Sequence, residues 1–239
     1  MKSSKISMKH EFDMTDLGKM RYFLGLEVLQ RSDGVFLSQK KYALEVLQRF
    51  GMDKSNSVHN PIVPGFKLVK DEGGVKVDKT YYKQIMGSLT YLAATRPDMM
   101  FMVSLISRYM ENPTELHLQA AKRVLRYLKG IIGFGIFYKK GEDDELVACS
   151  DSGYARDLED RKSTLGYVFL LSSGAVSWSS RKQPVVSLST TEAKFIVAAL
   201  CACQAIWLKR VLGKLSQNQG KSTIIHCDSS LQSNSQRAQ

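Results

Sequence analysis

The last hundred residues constrain the fold most tightly. Glu145 to Ser150, Leu165 to Ser172 and Ala175 to Ser180 read as three short strands, the second and third joined through Ser173-Gly174, a tight-hairpin signal. A long helix follows, from about Thr190 to Leu212, and then an apolar strand, Thr223 to Cys227, that runs into Asp228. The order β-β-β-α-β predicts a mixed sheet with the helix packed on it. The polar tail, Ser229 to Gln239, is expected to fray. Asp151 follows the first of these strands and Asp228 the last. Carboxylates at neighbouring strand ends are hard oxygen ligands and can share Mg²⁺ ions that activate water in phosphodiester cleavage. An aspartate after a strand is also an ordinary turn former or helix cap, so both readings stand at this point.

Upstream the pattern changes. Met20 to Val28 reads as a strand, Arg31-Ser32-Asp33-Gly34 as a turn and Val35 to Leu37 as the return strand. Gln39 to Phe50 reads as a helix stopped by Gly51. The stretch Asp53 to Gly74, with two prolines and three glycines, reads as a linker. Residues 75–140 read as helical: Lys79 to Ala94, a break at Arg96-Pro97-Asp98, Met99 to Met110, and a helix running to Lys129. That last helix is predicted to open with Asn112 as cap, Pro113 in the first turn and Glu115 closing a capping box. On it Leu116, Ala120, Val124 and Leu128 form an apolar row, while Lys122, Arg126 and Lys129 form a basic row beside Tyr127. A basic row with an aromatic can track phosphates, and it can equally be the solvated face of a core helix. The division is therefore residues 1–74, 75–140 and 141–239.

Composition narrows the classes. Hydrophobic residues are 44% and charged residues 24% of the 239, which excludes global disorder, collagen and coiled coil. Net charge is +11 and is uneven: residues 1–140 hold 23 basic and 13 acidic side chains, whereas 141–239 hold 11 and 10. A basic first part suits a polyanionic partner, and basic globular proteins with no such partner are also common. The longest nearly apolar run, Phe195 to Leu208, has 14 residues, fewer than the roughly 20 a membrane span needs. Met1 to Asp16 is polar and charged and does not read as a signal peptide. Cys149, Cys201, Cys203 and Cys227 form no CxxC pair, which suggests reduced, buried thiols and an intracellular, non-membrane location. Trp178 and Trp207 read as core aromatics. His10, His59 and His117 are isolated, and His226 is read as turned away from Asp228.

Three segments carry a resemblance. FDMTDLGKMRYFLGLEV is similar to the stretch after the palm active site of reverse transcriptases, including the primer-grip hairpin. YYKQIMGSLTYLAATRPDMMFMVSLISRYMENPTELHLQAAKRVLRYLKG resembles the thumb and connection region. SDSGYARDLEDRKSTLGYVFLLSSGAVSWSSRKQPVVSLSTTEAKFIVAALCACQAIWLKRVL with IIHCDSS resembles the ribonuclease H domain. The whole resembles the C-terminal part of the Pol polyprotein of copia-type LTR retrotransposons. The resemblance implies a mixed α/β (α+β) chain: a ribonuclease-H-like β-β-β-α-β domain preceded by a β-hairpin and a helical thumb/connection region. It implies Mg²⁺ as cofactor, an RNA–DNA hybrid as the nucleic-acid partner, and a palm domain of full-length Pol as a second partner.

Residue by residue, the resemblance places metal-holding and catalytic carboxylates at Asp151 and Asp228. The family's S-D-A-D-W-A-G stretch is here Ser150-Asp151-Ser152-Gly153-Tyr154-Ala155-Arg156, and its S-T-T-E-A-E-Y stretch is Ser189-Thr190-Thr191-Glu192-Ala193-Lys194-Phe195. Lys194 thus stands where a metal-binding glutamate is expected, and an ammonium offers donors but no lone pair. It could pair with Asp151 or Asp228 and fill the site itself. Glu192 is a poor substitute, because Ser189 and Glu192 form a capping box and residues two apart on a helix lie about 200° apart. The family's last acidic residue and the palm aspartates have no match, so a catalytically impaired ribonuclease-H-like fragment is expected. Its phosphate contacts are expected at Lys122, Arg123, Arg126, Lys129, Arg161, Lys162, Arg181 and Lys182. The alternatives are an active Mg²⁺-dependent hybrid nuclease, or a decayed or domesticated frame acting only as an interaction module.

Overall fold

The computed structural model describes residues 18–65, 67–141, 145–215 and 222–227. Asp228, His10 and the tail after residue 228 lie outside the described residues. Among those described are two four-stranded sheets and five α-helices, a mixed α+β architecture.

The first sheet has the order β1-β2-β3-β4 (Tyr22–Phe23, Leu26–Gln30, Gly34–Ser38, Gly135–Lys139), antiparallel throughout. The single strand expected over Met20 to Val28 is instead a hairpin. Leu24 and Gly25 both take positive φ, 47° and 76°, the geometry of a two-residue turn matching strand twist. A leucine rarely adopts it, and here the Tyr91 hydroxyl donates to the Leu24 carbonyl; a side chain on Gly25 would collide with that hydroxyl. The fourth strand, β4, lies in the stretch expected to be helical. It pairs in register with β3, Val35 opposite Tyr138 and Leu37 opposite Ile136, so β1–β3 and residues 135–139 share one sheet.

Five helices follow from the spacing of apolar positions: α1 (Lys40–Arg49), α2 (Lys79–Leu92), α3 (Met100–Ser107), α4 (Glu115–Gly130) and α5 (Thr190–Lys214). Gly51, at φ +65°, ends α1 with its N–H on the Gln48 carbonyl. The first four helices build one core in which Val46, Ile85, Leu89, Met99, Ile106, Leu125 and Leu128 are at most 1% exposed. A buried Arg96 locks the α2–α3 break. It makes a two-pronged pair with Asp98 at 2.9 and 2.7 Å and donates to the Ile131 carbonyl.

The cap of α4 is two residues later than expected. Thr114, not Asn112, is the cap, and His117 takes the role assigned to Glu115: the Thr114 N–H donates to His117 Nδ1 at 3.0 Å. With Nδ1 accepting, Nε2 carries the proton and donates to the Val69 carbonyl at 2.8 Å, while the Thr114 hydroxyl donates to Asp71. The loop expected as a linker is therefore bonded to the helical core. Burial, opposed by Val69 and Asp71, holds the His117 pKa below 6.5, so the folded state keeps the ring neutral. Its contribution is present above about pH 6.5 and is lost as pH falls below it, by up to about 1.4 kcal/mol per pH unit. Urea denaturation at pH 7.5, 6.5 and 5.5 should show this decline, and His117→Gln should flatten it.

The second sheet has the order β7-β6-β5-β8 (Gly174–Lys182, Thr164–Leu171, Leu146–Gly153, Ile224–Cys227). β5, β6 and β7 are antiparallel, and β8 returns through α5 to pair parallel with β5. The hairpin between β6 and β7 turns on Ser172-Ser173, one residue earlier than expected, with Ser172 at φ 53°. α5 covers one face and buries Ala193, Val197, Cys201 and Ala205, of which Cys201 and Ala205 pack with Leu146, Ala148 and Phe169. At 25 residues it is, by length and composition, long and apolar enough to cross a membrane, which the unbroken run in the sequence understated. Trp207 lies on its exposed side, 56% accessible, and is not a core aromatic. Only Cys201 of the four thiols is fully buried; Cys149 and Cys203 are exposed, and all are free.

Candidate nucleic-acid interface

β5 alternates along its length: Leu146, Ala148 and Ser150 are buried on the side of α5, whereas Cys149 and Asp151 are exposed on the other. Asp151 thus lies within β5, not after it. Its carboxylate accepts the Ser152 N–H at 2.7 Å and has no ion-pair partner among the described residues. The exposed row borders a cleft of about 830 Å³ between this sheet face and α3, lined by Phe101, Asp151, Arg156, Tyr167, Trp178 and His226. His226 is a member the sequence reading missed. It sits opposite Cys149 in the β5–β8 register and lines this cleft, while Asp228, from which it was expected to turn away, lies outside the described residues.

Lys194 is half-buried in the second turn of α5, beside buried Ala193. The C-terminal half of α5 packs with Leu146 and Ala148 at the start of β5, which leaves its N-terminal turns toward the end that carries Asp151. No hydrogen bond or ion pair joins Lys194 to Asp151, and Asp228, the other expected partner, lies outside the described residues. Glu192 caps the helix: Ser189 Oγ accepts the Glu192 N–H at 3.0 Å, and Glu192 accepts the Leu188 N–H at 2.6 Å. Among the described residues no group of three or more His, Cys, Asp or Glu side chains could hold a metal ion.

The eight basic candidates fall into two groups. Arg123, Arg126 and Lys129 donate to the carbonyls of Asn60, Asn56 and Ser55 and so fasten the 55–60 loop to α4; Lys122 lies half-buried beside them. The second group rims the end of the sheet where Asp151 lies, because the register aligns Gly153, Thr164 and Lys182. There Lys182 pairs with Asp157 at 2.6 Å and Asp160 at 3.1 Å, and Lys162 with Asp160 at 3.6 Å, while Arg161 and Arg181 are exposed. Asp157 is buried and also pairs with Arg108 at 3.1 Å; burial alone would raise its carboxyl, but Lys182 and the N–H groups of Asp160 and Glu159 hold it at about 2.

Residues 1–64 match the family model for reverse transcriptase (RNA-dependent DNA polymerase). The chain is 40% identical over 222 residues, 93% of its length, to the retrovirus-related Pol polyprotein from transposon RE1 of Arabidopsis thaliana. It is 39% identical over 234 residues, 94% of its length, to that from transposon TNT 1-94 of Nicotiana tabacum. The chain belongs to the copia-type Pol polyproteins. It spans only 15% and 18% of those two relatives. An uncharacterized mitochondrial protein of Arabidopsis thaliana is 36% identical over 197 residues, 82% of this chain and 81% of that one. No solved structure matches.

Proposed function

We propose that residues 141–239 form a ribonuclease-H-like unit that binds an RNA–DNA hybrid, and that Lys194 impairs its cleavage. The observation that carries this reading is the β5-β6-β7-α5-β8 order with β8 parallel to β5, which gives Asp151 a central strand beside the strand that runs into position 228. The described residues do not fit a Mg²⁺ site: one carboxylate, Asp151, lines the cleft, and Lys194, where the resemblance implies a second, carries an ammonium and does not line it. What remains is Arg156 at a cleft floored by Phe101, Tyr167 and Trp178, with exposed Arg161 and Arg181 at the same end of the sheet; such contacts position a duplex without reading its sequence. In the same reading residues 1–74 and 75–140 are the end of the palm and the thumb/connection region, and the exposed Tyr22, Phe23 and Leu24 face the polymerase palm.

Incubation with labelled RNA–DNA hybrid and Mg²⁺ should give no more cleavage than Asp151→Asn gives. Lys194→Glu should tighten Mg²⁺ binding in a calorimetric titration. Cleavage by the unmodified chain that Asp151→Asn abolishes would overturn the impairment. Binding should weaken with salt, and Arg161→Ala with Arg181→Ala should reduce the slope of log K against log salt by about 1 to 2.

A further inference from the structure

The exposed side of α5 is unlike an ordinary solvated helix face. At 100° per residue, Glu192, Ala199, Cys203 and Arg210 fall within about 20° of one line, opposite the row Ala193, Val197, Cys201 and Ala205 that meets the sheet. Phe195 and Ile206 flank this line, 69% and 53% exposed. Such a stripe does not by itself say what covers it, but its charges do. Glu192 is the sole acid of α5 and Arg210 is exposed near the other end, each nine residues from Cys201. We propose that α5 pairs antiparallel with the α5 of a second copy of this chain, about a two-fold axis at the level of Cys201. That axis sets Glu192 against the second copy's Arg210, Phe195 beside its Ile206 and Ala199 against its Cys203. The two ion pairs close the ends, the small residues in the middle let the axes approach to the 8–10 Å of packed helices, and the antiparallel dipoles oppose one another. A bilayer would instead strip water from Glu192 and Arg210 with nothing to neutralise either.

Sedimentation velocity on the full 239-residue chain, between about 1 and 100 µM, should show a monomer–dimer equilibrium of the kind a small interface gives. Arg210→Glu and Glu192→Arg should each weaken self-association about 10-fold or more, because each sets like charges opposite one another twice per dimer. An equimolar mixture of the two variants should recover the dimer, since one copy then carries two cations and the other two anions. Glu192 also caps the helix, so Arg210→Glu, which removes no hydrogen bond or ion pair among the described residues, must weaken the dimer by itself. A chain that stays monomeric throughout, or a mixture that associates no better than its components, overturns the pairing. So does flotation of the monomeric chain with anionic phosphatidylserine vesicles that Phe195→Ser abolishes, which would assign the stripe to a membrane surface.

Discussion

Phe169→Ala should destabilise the C-terminal sheet by about 3–5 kcal/mol, read as a fall in the urea midpoint at unchanged slope. Phe169 is fully buried on the central strand β6, opposite Ala148 on β5 and Ser177 on β7. Its cluster holds five buried hydrophobic residues, against 21 in the helical core, and the other four are Leu146, Ala148, Cys201 and Ala205. Three of those are small and cannot fill the vacated volume, the half-buried Tyr167 beside it is fixed by its own place on β6, and the paired strands on either side cannot close over it. The cost therefore belongs at the upper part of the range for large-to-small changes, where the cavity persists. A loss below about 1.5 kcal/mol would mean that the sheet collapses onto the gap, and that α5 is less tightly seated than its buried row indicates.

Elements set by neighbouring residues were legible in the sequence, and those set by distant contacts were not. The β2–β3 hairpin and α1 were readable because Asp33-Gly34 and the spacing of Tyr42, Val46 and Leu47 act within a few residues. β4 was not, because Gly135–Lys139 becomes a strand only by pairing with β3, about a hundred positions away. The Leu24-Gly25 turn was hidden for a similar reason: its leucine is held in an unfavourable conformation by a hydroxyl 67 residues distant. Asn112-Pro113 satisfied the local rules for a helix start, yet Val69 and Asp71 moved the cap to Thr114 and His117. At the candidate site, Asp151 and Lys194 could be picked out only through resemblance, since the side of β5 that each faces depends on α5. The row on α4 illustrates the limit of charge patterning. Arg123, Arg126 and Lys129 looked like phosphate ligands, and the acceptors they meet are backbone carbonyls of the preceding loop. Asp157 gave no signal at all, being one acid in the polar stretch Arg156 to Lys162, and it joins two parts of the molecule.

Asp157→Asn should cost about 3 kcal/mol and loosen the contact between α3 and the second sheet. The carboxylate, 5% exposed, receives Arg108 from the end of α3, Lys182 from β7 and the N–H groups of Glu159 and Asp160. Removing its charge leaves Arg108, 13% exposed, without its anion, and breaking one side of a buried pair costs about 3–5 kcal/mol. The lower end applies because Lys182 keeps Asp160 and is 29% exposed. The pH dependence has a definite sign. The native carboxyl lies near 2 against 3.8 ordinarily, so its stabilisation is complete above about pH 4 and is lost as pH falls toward 2. Urea midpoints at pH 7, 4 and 3 should therefore drop in the native chain and change less in the Asn variant. Arg108→Met added to Asp157→Asn should recover part of the loss, because the stranded charge is then gone. If instead the two losses simply add, Arg108 and Asp157 are independent, and Trp178 on the Ala93 carbonyl and Tyr138 on the Ala175 carbonyl hold this interface without them.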